Sequence, residues 1–256
     1  MVVTSRAGHA RELATAAVAR GARLVMAWGG DGTINEVASA LAFGGVPLGI
    51  IPAGSGNGLA TELGVDTRPR HAIAKAVRAS PMTMDVGEIG GRLFLNVAGI
   101  GLDAHVARQF NHPGNHRRGF ASYLRVGMRA LIDYVPAWYT ISTADVQMTV
   151  RAVIVVVANS VQYGNGARIA PGAEVDDGEL DLVVVEERSR LATFFQAPRL
   201  FNGSIGRAPG CSIRRISEVT IECSSAMVFH VDGEPIEGGT RLTASVHPRA
   251  LKICVT

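Results

Sequence analysis

Two clusters of glycine stand where short apolar runs give way to helical patterns. Gly29–Thr33 follows the apolar run Leu24–Trp28, and Pro52–Gly58 follows Leu48–Ile51. A glycine-rich turn between a strand and a helix presents backbone N–H groups and the positive end of the helix dipole, and phosphate is its usual occupant. Glycine also serves where a chain merely turns tightly, so one cluster alone is weak evidence. The two clusters together indicate an anion-binding edge.

Asp31 lies inside the first cluster and narrows the chemistry of that edge. A bound anion repels a neighbouring carboxylate unless a cation such as Mg²⁺, or a proton in transit, lies between them. Thr33 can cap the following helix or bond a phosphate oxygen. Neither cluster is followed by Gly-Lys-[Ser/Thr], and neither matches the dinucleotide pattern GxGxxG in its context. P-loop hydrolysis and hydride transfer therefore both lose support.

The elements around the clusters predict a parallel sheet followed by antiparallel strands. Each cluster is preceded by a predicted strand and followed by a predicted helix, and a further helix is predicted over Ala10–Ala19. After Pro81 the pattern becomes that of alternating strands, which include Val146–Val150 and Ile216–Ile221. Two more helices are predicted, one around Ala121 to Tyr134 and the other around Leu191 to Phe201.

Composition limits the class of protein. The 256 residues are 47% hydrophobic and 18% charged, which is enough apolar content for a sizeable core. A net charge of +3 is too small to indicate nucleic acid as a partner. The longest apolar run, Val153–Ala158, is too short to cross a bilayer. The three cysteines are odd in number and far apart, which favours buried free thiols in a reducing compartment over a disulfide or metal role.

The motifs of this chain resemble those of the diacylglycerol, ceramide and sphingosine kinase superfamily, in family order and over nearly the whole chain. The resemblance rests on six motifs: Gly29–Val37, Pro52–Asn57, Met84–Gly87, Leu95–Asp103, Ala170–Leu180 and Val231–Pro235. It implies a bacterial lipid kinase with a Rossmann-like α/β nucleotide-binding domain, a β-sandwich-like C-terminal domain and an active site in the cleft between them. We expect the first domain over 1–86, completed by about 240–256, and the second over 87–239.

The resemblance also implies which residues bind ATP. The nucleotide would lie along the first glycine loop and touch the second. The implied contacts are Gly30, Asp31, Gly32, Thr33, Ile34, Asn35, Glu36, Gly54, Ser55 and Asn57. Thr4 fits a family threonine that ends a strand and touches ATP, although it is equally well interpreted as a plain strand end.

Three acidic residues are implied to be catalytic. The family's Asp-Gly-Glu motif supplies a proton acceptor, which maps to Glu234, while Asp232-Gly233 alone has the composition of an ordinary hairpin turn. Asp31 and Asp85 would hold the catalytic Mg²⁺, and Asp103 is a less favoured candidate near the cleft. Asp85 and Asp103 could instead be cap or turn residues.

A structural magnesium is implied on the acidic turn at 174–179. Its ligands would be the side chains of Glu174 and Asp177 and the backbone carbonyl of Glu179. This stretch is rich in oxygen donors suited to a hard cation, and it is also well explained as a solvated acidic turn. The cofactors expected from the resemblance are therefore ATP and Mg²⁺.

The chain departs from the family pattern in two places. The usual first strand, with its Asn-Pro phosphate loop, would lie upstream of Val2–Thr4, so we expect an N-terminal truncation that leaves activity open. Gly58 stands where many diacylglycerol kinases carry Asp and is closer to the sphingosine kinase form, so the acceptor lipid stays undecided.

The expected partner is a lipid at a membrane surface. The basic stretch Arg108–Phe120 is predicted to rest on anionic headgroups, with a solvated loop as the alternative. We expect a cytoplasmic protein in peripheral contact with the membrane, no nucleic acid partner and a possible homodimer. Two alternatives stay open: an NAD-kinase-like enzyme acting on a soluble substrate, and an inactive nucleotide- or lipid-binding module.

Overall fold

The computed structural model describes residues 1–110, 127 and 129–255. The first part of the chain alternates helices and strands, as its apolar periodicity predicts. Its elements in order are α1 (His9–Ala19), β1 (Val25–Gly29), α2 (Asp31–Leu41), β2 (Leu48–Pro52), α3 (Gly58–Glu62) and α4 (Pro69–Arg78). β1 and β2 pair in parallel over their full lengths. The predicted parallel α/β arrangement is confirmed.

α2 shows why this part of the chain folds as it does. Its four buried residues are Ile34, Val37, Ala38 and Leu41, which recur at the spacing that places them on one helical face. That face joins a core that also contains the buried side chains of β2. Because the helix must cover the sheet, its N-terminus is fixed at the carboxyl end of β1.

The second part is mainly antiparallel, as predicted. Its first strands and helix are β3 (Met82–Ile89), β4 (Arg92–Phe94), β5 (Val97–Gly101), α5 (Leu102–Phe110), β6 (Ala137–Ser142), β7 (Gln147–Ala158) and β8 (Leu180–Glu186). They are followed by α6 (Arg190–Gln196), α7 (Pro198–Phe201), a 3₁₀ turn (Ile205–Arg207), β9 (Cys211–Ile216), β10 (Glu218–Cys223), β11 (Val228–Val231), β12 (Glu234–Glu237) and β13 (Arg241–Cys254). Residues 129–133 are helical.

β13 and β3 join the two parts. Near its start β13 pairs with β10 and with the end of β3, and near its own end it pairs with the start of β3 and with β2 in the parallel sheet. The β3–β13 register shifts between His247 and Leu251, where Arg249 has φ 53°. The strands therefore form one continuous sheet with branches rather than two separate ones. The division of domains at 86 and 240 stays our interpretation.

Several expectations about single elements were wrong. The strand expected over 216–221 is two strands, because β9 ends at Ile216 and β10 begins at Glu218. The helix expected over 191–201 is broken before Pro198, whose ring cannot continue a helix from the preceding turn. Val2–Thr4, expected at a strand end, has no regular structure. Half of the helix expected over 121–134, and most of the basic stretch 108–120, lies outside the described residues.

None of the helices in the described ranges has the length and apolar content that a bilayer span requires. The three cysteines are free; Cys254 is buried as expected, whereas Cys211 and Cys223 are only half-buried.

Asp181 generates a prediction about stability and pH. It lies in β8 with Arg215 as its register partner, and burial raises the pKa of its carboxyl from an ordinary 3.8 to about 6. The fold thus favours the neutral form, so this contribution to stability is complete below about pH 4 and is lost as the pH rises through about 6. Asp181→Asn stays neutral and should raise the free energy of unfolding at pH 8 by about 1 kcal/mol, with little change at pH 4.

Urea denaturation of both proteins at the two pH values measures this effect. The matched control is Asp145→Asn, which removes an exposed carboxylate from the β6–β7 turn and should have the same small effect at both pH values. An Asp181→Asn effect that does not depend on pH would contradict the assigned cause.

Candidate active site

The two glycine loops meet at one edge of the parallel sheet. β1 and β2 end side by side, because Gly29 pairs with Pro52, and the loops that follow them are therefore neighbours. A Cβ atom placed on Gly54 would lie 2.6 Å from the Gly30 Cα, which no real side chain tolerates. The glycines are needed for this contact of backbone against backbone, and together they form one continuous surface.

Asp31 sits where the two loops join. It is the first residue of α2, and its Oδ1 accepts the backbone N–H of Leu59 at 3.3 Å, in the first turn of α3. Burial raises the pKa of Asp31, and the nearby Asp232 carboxylate adds repulsion that acts in the same direction. A cation at this position would relieve both effects, so the Asp31 carboxylate fits a hard metal ion.

Asn57 shapes the second loop. Its backbone is left-handed with φ 49°, and its side chain accepts the Gly54 N–H and donates to the Gly54 carbonyl, both at 2.8 Å. Side-chain bonds of this kind let asparagine close a tight loop on itself. Ser55 is exposed between these two residues, where its hydroxyl is open to a ligand.

The other residues predicted to contact ATP divide into two groups. Gly30, Gly32 and Thr33 line the start of α2, with the Thr33 side chain packed over Gly29. The Ile34 side chain is fully buried in the core, and Glu36 accepts the N–H groups of Gly8 and Ala10 at the start of α1. The side chains of this second group are thus engaged within the protein. Thr4 is exposed in an irregular segment, and its contact with ATP stays a prediction.

Asp232 and Gly233 form the two-residue turn between β11 and β12. Val231 pairs with Glu234, and both turn residues have positive φ, at 48° and 87°. Such a turn suits Asp-Gly and matches the twist of the strands that it joins. The hairpin expected from composition is present. A tight turn of this kind is compatible with the predicted role of Glu234 as a proton acceptor.

The Asp232 side chain joins this hairpin to two other elements. Its carboxylate accepts the backbone N–H groups of Leu95, Asn96 and Val97 at 2.9 to 3.1 Å. It also accepts the Asn35 side-chain amide at 2.8 Å, and Asn35 belongs to α2. The start of α2, the β4–β5 corner and the hairpin are thereby fixed to one another.

Glu234 is exposed and follows the turn directly. A Cβ atom placed on Gly32 would lie 3.2 Å from the Glu234 Oε1. The Glu234 carboxylate therefore lies against the first turn of α2, one residue away from Asp31. The structure thus brings Asp31 and both glycine loops together with Glu234, which lies 203 positions after Asp31 in the sequence.

Asp85 has other partners. It is fully buried, and its two carboxylate oxygens accept the N–H groups of Gly178 and Arg249, each at 2.6 Å. Its own backbone N–H donates to the Val175 carbonyl. These bonds tie Asp85 to the 175–178 turn and to the irregularity in β13. Its role in a magnesium network stays a prediction, and the carboxylate oxygens that such a role requires are engaged by the backbone.

The acidic turn holds an arginine. Arg215 lies 3.6 Å from the Glu174 carboxylate, 3.4 Å from that of Asp177 and 3.5 Å from that of Glu179. Within the described residues, no group of three or more His, Cys, Asp or Glu is arranged to hold a metal ion. The Arg215 guanidinium thus supplies positive charge beside the Glu174 and Asp177 side chains, and the structural magnesium expected on this turn stays a prediction.

A buried cluster behind the hairpin was not anticipated as a unit. His230 Nε2 lies 3.2 Å from Asp103 Oδ2, and the Tyr163 hydroxyl donates to the same oxygen at 3.1 Å. The Gly233 N–H donates to His230 Nδ1 at 3.3 Å, so Nε2 carries the proton toward Asp103. Gly99 has no room for a side chain beside this pair.

The cluster positions the turn that carries Glu234. Sequence reasoning named Asp103 only as a cleft residue and missed His230, because His230 lies in an alternating strand pattern and its partners lie far away in the chain. The signal that could have found it is a polar residue on a buried strand, two positions before the Asp-Gly turn.

Comparison with known proteins agrees with this geometry. Residues 1–89 match the family model "Diacylglycerol kinase catalytic domain", and residues 96–255 match "YegS C-terminal NAD kinase beta sandwich-like domain". A Pseudomonas aeruginosa protein named "Probable lipid kinase YegS-like" is 32% identical over 98% of this chain and 82% of its own. A protein of the same name from Chromohalobacter salexigens is 31% identical over 88% of this chain and 73% of its own.

Solved structures share the fold. The crystal structure of a diacylglycerol kinase from Bacillus anthracis has a TM-score of 0.75 and 21% identity, over 100% of this chain and 84% of that one. An NAD kinase from Archaeoglobus fulgidus in complex with ATP has a TM-score of 0.50 and 13% identity, over 91% and 77% of the two chains. At these identities the likeness concerns the fold alone.

The diacylglycerol kinase catalytic domain and the paired glycine loops define a phosphotransferase of the kinase class. The chain belongs to the YegS-like family of lipid kinases.

Asp232 generates a prediction about the integrity of the site. Asp232→Ala removes the acceptor of three backbone N–H groups and one amide, so we expect a loss of about 3 to 5 kcal/mol in the free energy of unfolding. Asp232→Asn keeps one acceptor oxygen and should lose less than Asp232→Ala. Urea titration measures both variants. Equal stability of the alanine variant and the natural chain would contradict the role given to this carboxylate.

Proposed function

We propose that this protein transfers the γ-phosphate of ATP to a hydroxyl group of a lipid such as diacylglycerol or a sphingoid base. The observation that carries the proposal is the position of the Glu234 carboxylate. It lies against Gly32 at the start of α2, beside Asp31 and the edge where the two glycine loops meet. A base and an anion-binding surface thus face the same space.

The glycine loops supply the site for the phosphates. The first N–H groups of a helix have no partner within the helix, and the eleven-residue helix α2 begins at the shared edge. The positive end of its dipole adds to the N–H groups of the loops, whereas the Leu59 N–H of the short helix α3 is already donated to Asp31. Phosphoryl transfer depends mainly on alignment and on charge stabilisation, and this surface can provide both.

Asp31 would hold the Mg²⁺ that accompanies the nucleotide. Magnesium bound there supplies charge neutralisation on the phosphate oxygens. The Asp31 carboxylate is half-buried between two loops that attract anions, and it would give an oxygen ligand to a magnesium ion that accompanies the nucleotide. No part of the proposal requires a second metal ion on the acidic turn at 174–179.

Glu234 would accept the proton of the attacking hydroxyl. Its side chain is exposed, so an incoming substrate can reach it, while its backbone is fixed by the β11–β12 hairpin. General bases of this kind act within hydrogen-bond reach of the proton that they remove. The buried His230–Asp103 pair holds the turn just before it and limits its movement.

A lipid acceptor is supported by the relatives, which are named "Probable lipid kinase YegS-like". The competing soluble-substrate reading shares its fold with an NAD kinase at 13% identity, a likeness that concerns the fold alone. The deciding experiment supplies purified protein with labelled ATP and Mg²⁺ together with diacylglycerol, sphingosine, phosphatidylglycerol or NAD. Label in the organic phase supports the proposal. Label on NAD alone, or bound ATP without any transfer, would overturn it.

Glu234→Gln tests the proposed base. The amide keeps the size of the side chain but cannot accept the hydroxyl proton, so kcat should fall by about 100-fold or more. The affinity for ATP should change less than about twofold, because Glu234 is not assigned to the nucleotide. Glu218→Gln removes an exposed carboxylate of β10 and serves as the matched control with unchanged kcat. Full activity in the Glu234 variant would remove this residue from the mechanism.

Asp31→Asn tests the magnesium ligand. Calorimetric titration with ATP should show that the natural chain binds more tightly when Mg²⁺ is present. In the variant, the gain in ATP affinity on adding Mg²⁺ should be about tenfold smaller, because the amide is a weaker ligand for a hard cation. The variant's retained unfolding midpoint would show that the fold is intact. An unchanged magnesium dependence would contradict the assignment.

A further inference from the structure

The segment 188–207 carries an apolar surface that the rest of the described chain leaves exposed. Leu191 and Phe195 are each 72% exposed, and Phe194 is 43% exposed. The two phenylalanine rings pack edge to face at 5.6 Å between their centroids. Large apolar side chains that cluster on a surface mark a place of contact with something else.

The segment is fixed to the protein by its other side chains. Leu200, Ile205 and Ala208 pack into the core beneath β7 and β8. The Leu200 carbonyl accepts the Arg168 N–H at 2.7 Å, and the Ser189 side chain caps the start of α6. The apolar side chains of α6 therefore point outward from a firmly held base, rather than from a segment that lacks packing of its own.

The charge of the segment has one sign. Residues 188–210 contain four arginines and no Asp or Glu; the arginines are Arg188, Arg190, Arg199 and Arg207. Within the described part of the chain, none of the four forms an ion pair with a carboxylate. Aromatic and aliphatic side chains beside unpaired arginines are the combination that enters the headgroup region of an anionic bilayer.

The segment is also connected to the active site. Arg168 bonds α7, and the same 159–168 stretch reaches the second glycine loop, where a Cβ atom on Gly58 would lie 3.1 Å from the Tyr163 carbonyl oxygen. The stretch 159–168 thus lies between the apolar surface and the edge where the two glycine loops meet. A bilayer that contacts 188–207 would therefore lie near the second glycine loop.

We propose that segment 188–207 docks the protein on the surface of an anionic phospholipid bilayer, with Leu191, Phe194 and Phe195 entering the interface and Arg188 and Arg190 meeting lipid phosphates. This inference rests on the proposed lipid kinase function for its purpose, but not for its test. It assigns the contact to a different part of the chain from the basic stretch 108–120.

Flotation of the full chain with vesicles tests the docking directly. The natural chain should bind vesicles of phosphatidylcholine with phosphatidylglycerol and should bind pure phosphatidylcholine much less. Leu191→Ser with Phe195→Ser should lower binding to the anionic vesicles by about tenfold. Arg188→Gln with Arg190→Gln should also lower it, and the difference should vanish in about 0.5 M salt, where surface charges are screened.

Matched controls separate this segment from general effects of composition. Val77→Ser removes an exposed apolar side chain from α4, and Arg20→Gln removes an exposed arginine after α1. Both should bind as the natural chain does. Binding by the Leu191/Phe195 variant that equals the natural level would overturn the proposal. The proposal would also be overturned if the natural chain were a dimer and this variant were a monomer that bound vesicles equally well. In that case a second copy of the chain, and not a bilayer, would cover the surface.

A kinase assay distinguishes failure of the docking from failure of the proposed function. On lipid presented in vesicles the Leu191/Phe195 variant should show a raised KM, whereas on a short-chain lipid dispersed as monomers it should match the natural chain. If the natural chain phosphorylates no lipid, the proposed function fails and the vesicle-binding comparison still decides the docking. An equal loss of activity on both forms of lipid would contradict a role in docking.

Discussion

The contact of the Asp232 carboxylate with four N–H donors holds the site together. Those donors belong to α2 and to the β4–β5 corner, and the carboxylate itself stands in the β11–β12 hairpin. A half-buried carboxylate is tolerated when hydrogen bonds satisfy it, and it then fixes its partners with little freedom. Burial raises the pKa of Asp232 while the four donors oppose that rise. These hydrogen bonds hold the hairpin beside α2 and therefore place Glu234 against the first turn of that helix.

A second constraint is steric. The two loops approach so closely that the Gly30 and Gly54 backbones touch, and the Asn57 side chain closes the second loop from within. The loops obtain their shape from the backbone and from one amide, which leaves their outward N–H groups for a ligand. Asp31 then places a carboxylate at a junction whose backbone N–H groups favour anions. The anion-binding surface of the edge thus depends on two glycines, Gly30 and Gly54, and on Asn57, which bonds within its own loop.

Sequence reasoning predicted the class of fold and the joining of the glycine loops, because both follow from local periodicity and glycine spacing. It could not predict that Asp85 and Glu36 are occupied by backbone N–H groups, since their partners come from distant parts of the chain. Arg215 among the acidic residues and His230 behind the hairpin were missed for the same reason. Motifs indicate which residues belong to the site, whereas hydrogen bonds to distant parts of the chain decide which side-chain atoms remain free to bind a ligand.

The pairing of β3 with β13 on both sides of the register shift has a consequence for the rigidity of the site. These strands run through both parts of the chain. The Asp85 carboxylate accepts the Arg249 N–H at the register shift between His247 and Leu251. Any hinge movement of the parallel strands against the antiparallel strands would have to bend or break the hydrogen bonds between β3 and β13. The position of the glycine loops relative to the β11–β12 hairpin is therefore largely preorganised, which lowers the entropic cost of ordering the site when a substrate binds.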